Sequence, residues 1–157
     1  MFTARELTYL NLDDILRLRV RDDQTDLVAP NSVTVAQATY MPNSWLRGLW
    51  VEEDAVGLIA MIDIHADHPE IDDCTPPNVA CLWRLMIDAS HQGRGYGKQA
   101  MALAFAQARR WRRQTLHLSV SENEGNALAF YRRFGLEPTG QVDDGELVLI
   151  GSVPSDS

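Results

Sequence analysis

The segment from Val79 to Arg113 constrains the fold of this chain more than any other. Val79 to Asp88 is a nearly continuous apolar run broken by Arg84, and it reads as a central strand covered on both faces. Next comes Gln92-Gly93-Arg94-Gly95-Tyr96-Gly97-Lys98, and then a helical pattern from Lys98 to Arg113. Glycines at alternate positions let the backbone turn sharply and let a ligand approach the main chain. A helix start presents unpaired N–H groups and a partial positive charge. Strand, glycine turn and helix N-terminus together predict an anion cradle, suited to a phosphate or pyrophosphate. Arg94 and Lys98 add side-chain charge at that spot, in a chain whose net charge is −8. A phosphorylated cofactor is the expectation.

The spacing excludes two common phosphate loops. The glycines read Gly-x-Gly-x-Gly, not the Gly-x-Gly-x-x-Gly of dinucleotide folds. Gly97-Lys98 is followed by Gln99, so no hydroxyl stands ready to hold magnesium as in a nucleoside-triphosphate loop.

A length of 157 residues predicts one domain, taken as 1–151 with a frayed tail over 152–157. No apolar run approaches the roughly 18 residues that a bilayer crossing needs, and the first residues lack the pattern of a signal peptide. A cytoplasmic location with no membrane partner is expected. Cys74 and Cys81 lack the paired spacing of a zinc site and suit reduced thiols, with a disulfide between them left open. The 22 acids against 14 Lys plus Arg argue against nucleic acid as a partner. They favour cationic ligands, or serve solubility alone.

Along the chain, Ala4 to Tyr9 reads as a first strand. Asn11 or Asp13 is placed to cap a short helix through Leu16 and Val20, and Ser32 a second one through Val35 and Ala38 that Pro42 ends. Trp45–Glu52 and Ala55–Asp63 predict a hairpin around Glu53-Asp54, and residues 64–78 a long loop. The helix from Lys98 puts Met101, Ala104, Phe105, Ala108 and Trp111 on one face. Arg109, Arg110, Arg112 and Arg113 crowd its end, where they complement the helix dipole. Leu116–Val120 is a fifth strand, parallel to the fourth because a helix crosses over between them. Ala127, Phe130, Tyr131 and Phe134 fall at helical spacing, and Leu136–Val142 with Glu146–Ile150 form a last hairpin around Asp144-Gly145.

Gln92-Gly93-Arg94-Gly95-Tyr96-Gly97 resembles the Gln/Arg-x-x-Gly-x-Gly/Ala pyrophosphate loop of the GNAT superfamily of acyl-CoA N-acyltransferases. The order of elements is similar to that fold over nearly the whole chain, specific over residues 79–135 and loose over 1–44. The resemblance implies an α/β fold with a mixed, mostly antiparallel sheet of about seven strands, helices on both faces, and parallel, splayed fourth and fifth strands. It implies acetyl-CoA as cofactor. Its pantetheine would pair with the backbone of Leu85, Met86 and Ile87, and its pyrophosphate would meet the amides of Gln92, Gly93, Arg94, Gly95, Tyr96, Gly97 and Lys98. A backbone N–H near Met86 would stabilise the oxyanion formed when an amine attacks the thioester. The acyl group is acetyl by resemblance only.

Asn126 to Leu136 looks like the family's Asn-x-x-Ala-x-x-Leu-Tyr-x-x-x-Gly-Phe segment, which implies Tyr131 as the general acid. Helical periodicity alone favours a core aromatic whose hydroxyl merely finds a partner, and the family resemblance reverses that preference. The family's asparagine usually stands where this chain has Glu124, so Asn126 or Asn123 is left to contact CoA. Where some members carry a glutamate base, this chain has Cys81, and a thiol is poorly suited to that task. Ordered water, Asp63, His65 and Glu124 stay open as routes for the proton. The loop residues Asp63, His65, Asp67, His68, Glu70, Asp72 and Asp73 lack compact ligand spacing and read as a solvated acidic loop with no metal.

The acceptor implied is a primary amine of a small molecule. Trp83 to Asp88, the glycine loop, and Glu137-Pro138-Thr139-Gly140 look like the bacterial spermine/spermidine acetyltransferase branch. Asp22, Asp23, Asp26, Asp143, Asp144 and Glu146 would suit a flexible polycation. The alternatives are an aminoglycoside-type acetyltransferase and a catalytically silent CoA-binding or sensing module. Homodimers are frequent among similar proteins, and the sequence leaves the oligomeric state open.

Overall fold

The computed structural model describes residues 1–25, 28–122 and 125–155; Asp26, Asn123 and Glu124 lie outside the described residues. The chain runs β1 (Phe2–Arg5), α1 (Leu12–Leu16), a 3-10 turn (Asp22–Gln24), α2 (Asn31–Tyr40), β2 (Ser44–Val51) and β3 (Asp54–Ile64). It continues with β4 (Val79–Ile87), a second 3-10 turn (Ala89–His91), α3 (Tyr96–Arg110), β5 (Thr115–Ser121), α4 (Gly125–Arg132), β6 (Glu137–Asp143) and β7 (Glu146–Ser152). The strands form a seven-stranded sheet in the order β1-β2-β3-β4-β5-β7-β6. β4 and β5 are parallel, in register at Ala80↔Leu116 and Cys81↔His117, while β1–β2, β5–β7 and β6–β7 are antiparallel. The crossover through α3 allows the parallel pair, since a tight turn joins only antiparallel strands.

Packing divides the chain into two compact units, Met1–Met61 with Arg84–Leu103, and Ile62–Trp83 with Ala104–Ser157. The divisions fall within β3, β4 and α3.

In the first unit, Ile15, Leu18, Trp50, Leu58 and Met86 form an apolar cluster. Four sequence expectations are corrected here, three of them by an asparagine. The first strand ends at Arg5 because Asn11 Oδ1 accepts from Thr8 N–H (2.7 Å) and Asn11 Nδ2 donates to Glu6 O (3.0 Å), curling the following residues into a turn. The same side chain is therefore not a helix cap, although Asn11 holds the N-cap position of α1. α2 starts at Asn31, before Ser32. Asn31 is 3% exposed and donates Nδ2 to Ile15 O (2.9 Å), so it ties α2 to α1 from inside. The β2–β3 turn is centred on Glu52 and Glu53, with Glu52 in the left-handed region (φ 53°).

In the second unit, Leu116, Leu118, Val120, Val148 and Leu149 pack the sheet. Asp144 and Gly145 both have positive φ (52° and 80°), the signature of the tight turn that twisted hairpins prefer. β6 is an exposed edge carrying Pro138, a position where a missing N–H costs little. The tail, expected to fray from Ser152, is held further: Val153 N–H donates to Gln114 O (2.8 Å) and Arg109 Nη1 to Pro154 O (3.0 Å).

α3 buries Ala100, Met101, Ala104, Phe105 and Ala108. It begins at Tyr96, ahead of Lys98, and stops at Arg110, leaving Trp111 in the turn beyond it. Arg112 (φ 60°) closes the helix, with Arg113 N–H donating back to Ala108 O (2.9 Å). The basic cluster is thus partly structural, since Arg113 also grips Asp63 through Nε (2.6 Å) and Nη2 (3.3 Å).

Candidate active site

The first unit contains the junction of β4 with α3. Gly57 lets β3 lie close to β4: a Cβ there would come within 2.4 Å of Met86 O. Asp88 N–H donates to Val56 O (2.8 Å), fixing where β4 ends. The Asp88 carboxylate then caps the following 3-10 turn. It accepts from Arg19 N–H (2.9 Å), from Ser90 N–H (3.3 Å), from the Ser90 hydroxyl and from His91 Nδ1 (3.1 Å). Burial pushes its pKa up, but the hydrogen bonds from Ser90, Arg19 and His91 outweigh that and hold it below the usual 3.8.

Gln92 has a structural task that its spacing did not reveal. Its Nε2 donates to Ile87 O (3.0 Å) and Gln24 Oε1 (3.0 Å), and its Oε1 accepts from Arg21 Nη1 (2.9 Å). This one side chain braces the end of β4 against the 3-10 turn at Asp22–Gln24. Gly93 (φ 78°) and Gly95 (φ 83°) turn the chain into α3, and a Cβ at either would meet nothing within 4 Å. The left-handed backbone calls for glycine there, and the space beside it is open. The first helical bond runs from Gln99 N–H to Gly95 O (3.2 Å), so the N–H groups of Tyr96, Gly97 and Lys98 precede the ladder. Arg94 and Lys98 are exposed beside the turn, and Tyr96 stacks on Phe2 at 5.8 Å between ring centroids. Unpaired amides, open glycines and two cations fit a pyrophosphate. Leu85 and Ile87 are half-buried and Met86 is buried, with Asn31 Nδ2 3.6 Å from its sulfur.

The second unit holds Tyr131, half-buried on α4, with its ring edge-on to Phe130 at 5.1 Å. Gly135 (φ 84°) ends α4, and Leu136 N–H donates back to Tyr131 O (3.3 Å). A Cβ on Gly151 would meet Gly135 O at 2.7 Å, so β7 lies this close to the cap only with glycine at 151. Asn126 is exposed in the first turn of α4. Of the residues weighed as bases, Asp63 is committed to Arg113 and Glu124 lies outside the described residues. Cys74 and Cys81 are free thiols. Among the described residues, no three His, Cys, Asp or Glu side chains gather as metal ligands would, and no helix is long and apolar enough to cross a membrane.

Sequence reasoning passed over His117. It is 4% exposed on β5, and its Nε2 bonds Cys74 O at 2.8 Å. Burial lowers its pKa from the usual 6.5, although the Cys74 carbonyl, Asp72 and Asp143 pull the other way. The available signal was a lone histidine between Leu116 and Leu118 in an apolar strand.

A model of the acetyltransferase (GNAT) family matches residues 13–136. The chain belongs to the GNAT family. It is an acetyl-CoA-dependent N-acetyltransferase. This GNAT enzyme is 32% identical to the spermine/spermidine N(1)-acetyltransferase of Bacillus subtilis (strain 168) over 138 residues, 87% of this chain and 88% of the relative. Its fold is similar to the spermidine N-acetyltransferase of Vibrio cholerae solved with CoA and spermine (TM-score 0.72, 15% identity, 97% of this chain and 95% of that one). It is similar also to the PaiA N-acetyltransferase of Thermoplasma acidophilum solved with coenzyme A (TM-score 0.69, 13% identity, 97% and 99%).

Proposed function

We propose that this GNAT enzyme acetylates a primary amine of a polyamine by direct attack, with Tyr131 as general acid. The observation that carries the acceptor class is the 32% identity to a spermine/spermidine acetyltransferase along 87% of the chain. The net charge of −8 and the exposed Asp22, Asp143, Asp144 and Glu146 support it, because spaced carboxylates draw a polycation. Asp26, also expected to serve, lies outside the described residues.

When bound, acetyl-CoA supplies a thioester carbonyl open to attack by an amine. In this reading Leu85, Met86 and Ile87 offer main-chain groups to the pantetheine, with the Ile87 carbonyl already shared with Gln92. The amides from Gln92 through Lys98 hold the pyrophosphate, and Asn126 contacts the CoA moiety. A β4 N–H near Met86 stabilises charge on the carbonyl oxygen. The Tyr131 hydroxyl gives its proton to the departing sulfur, for which a phenol protonated at neutral pH is suited. A cytoplasmic location and a homodimer complete the reading, the latter open to sedimentation equilibrium.

The test is release of free CoA from acetyl-CoA with spermine, spermidine, simple amines, amino acids and aminoglycosides in turn. Turnover with the polyamines is expected. Turnover with aminoglycosides alone would move the acceptor class. Silence across the panel, with acetyl-CoA still bound in calorimetry, would favour a sensing module.

A further inference from the structure

Within the first unit, the chain leaving α1 runs beside the chain leaving β4. Arg19 N–H donates to the Asp88 carboxylate (2.9 Å), and Arg19 O accepts from Ala89 N–H (2.7 Å). Further along, Arg21 Nη1 donates to Gln92 Oε1 (2.9 Å), and Gln92 Nε2 donates to Gln24 Oε1 (3.0 Å) and Ile87 O (3.0 Å). Both Nε2 hydrogens and the amide oxygen of Gln92 are thus engaged, which leaves that side chain no freedom to turn. Gln24 Oε1 accepts also from Arg21 N–H (3.1 Å), and Gln24 N–H donates to Arg21 O (2.8 Å), so the short turn closes on itself. Arg21 Nε completes it with a bond to the Asp23 carboxylate (3.2 Å).

The residues after Gln92 give this latch a purpose. Gly93 and Gly95 have positive φ and open space beside them, and glycine loses more freedom on ordering than any other residue. Downstream, α3 anchors the turn. Upstream stands Gln92, extended at the end of the 3-10 turn (φ −70°, ψ 157°), and its side chain is what ties it down. A binding turn ordered beforehand gives up less entropy when its ligand arrives. Arg21 is exposed and stands 71 residues from Gln92, so it can be replaced without opening a core.

We propose that Arg21 is a positioning residue for CoA: acting through Gln92, it holds the glycine turn in its binding form and ties it to the acidic turn at Asp22–Gln24. The proposal rests on the reading of the glycine turn as the pyrophosphate site. Linkage is reciprocal, so a ligand that steadies the glycine turn steadies the acidic turn as well. CoA in place therefore presets Asp22 and Asp23, two of the carboxylates expected to meet a polycation.

Calorimetry with CoA and amide hydrogen exchange on the full chain test this. Arg21→Ala and Gln92→Ala are each expected to weaken CoA about tenfold, and the double variant to bind no more weakly than either, because the two side chains act as one. Arg21→Lys, which can still donate to Gln92 Oε1, is expected to stay within about threefold of wild type. CoA is expected to slow exchange of the Gln24 N–H about tenfold in wild type and to leave it unchanged in Gln92→Ala. Urea unfolding checks that each variant is folded, and Gln24→Ala, which removes the other partner of Gln92, stands in for Arg21→Ala if it is not. Losses that add in the double variant would mean that Arg21 acts on the phosphates by its own charge, and would overturn the proposal. Exchange at Gln24 that CoA leaves unchanged in wild type would overturn it too. CoA that binds Arg21→Ala as tightly as wild type, while Gly95→Glu abolishes binding, would overturn the proposal and leave the glycine turn as the pyrophosphate site. CoA indifferent to Arg21→Ala, Gln92→Ala and Gly95→Glu alike would remove the pyrophosphate from this turn, and the proposal with it.

Discussion

The turn after β4 and the cluster around His117 use the polypeptide in opposite ways. At the turn, the groups offered to a ligand are main-chain N–H groups, and the side chains serve mainly as braces: Gln92 and Asp88 spend their polar atoms holding the backbone in place. Around His117 the backbone is the brace, with the Cys74 carbonyl fixing a ring buried in the sheet. The first is built from consecutive residues. The second joins groups 43 residues apart (Cys74 and His117) and is tied by a bond spanning 68 (Asp73 and Gln141). A site made of backbone tolerates changes of side chain but not of backbone freedom, and a site made of side chains behaves the other way.

The sharpest way to break that contrast is Gly95→Glu. It forces a left-handed φ of 83° on a residue with a Cβ and sets a like charge against phosphate. CoA affinity in calorimetry is expected to fall about 100-fold or more. Unchanged affinity would mean the pyrophosphate lies elsewhere. Tyr131→Phe belongs to the side-chain regime, where removing one hydroxyl removes a function: kcat for the preferred amine is expected to drop about 100-fold with little change in KM. Equal turnover would return Tyr131 to the role of a packed aromatic.

Gly57→Ala probes the backbone regime without touching a ligand. Its Cβ would meet the main-chain Met86 O at 2.4 Å, an atom that cannot swing aside, and urea unfolding is expected to show a loss of about 1–3 kcal/mol. A neutral result would show that β3 and β4 separate easily there.

Two smaller effects depend on pH. Hydrogen bonds hold Asp88 below its usual 3.8, so its contribution to stability is complete above that pH and fades as the pH falls through its lowered folded value. Asp88→Asn is expected to cost about 1 kcal/mol at neutral pH, as the loss of a capping carboxylate does, and little in strong acid. A gap that persists in acid would show that shape, not charge, matters at that position. Burial holds His117 below its usual 6.5, so just under that pH the unfolded chain binds more protons and stability declines as the pH falls, levelling off below the folded value. His117→Gln is expected to flatten this slope in melting temperatures taken across that window, and an unaltered slope would assign it to another group.

Much of the fold was legible because it depends on short-range pattern. The apolar run of β4, the glycines of the turn and the stripe of α3 all lie within residues 79–108, and the structure keeps them in that order. Asp144-Gly145 specified its own turn, since both residues accept the positive φ that it requires. Asn11 was misjudged, and Asn31 passed over in favour of Ser32, because a capping residue type says only that a side chain has hydrogen bonds to give. Asn11 gives them to Thr8 and Glu6, and Asn31 gives one to Ile15 in another helix.

The sequence alone determined the family, the parallel β4–β5 pair and the glycine turn between β4 and α3, because such features are written in neighbouring residues whose φ, periodicity and end effects are local. Only the tertiary structure decided that Gln92 is a brace, that Asp63 is committed to Arg113, and that His117 is buried with its Nε2 on the Cys74 carbonyl. Those facts depend on which side chains the folded sheet brings side by side, and on how far burial removes them from water.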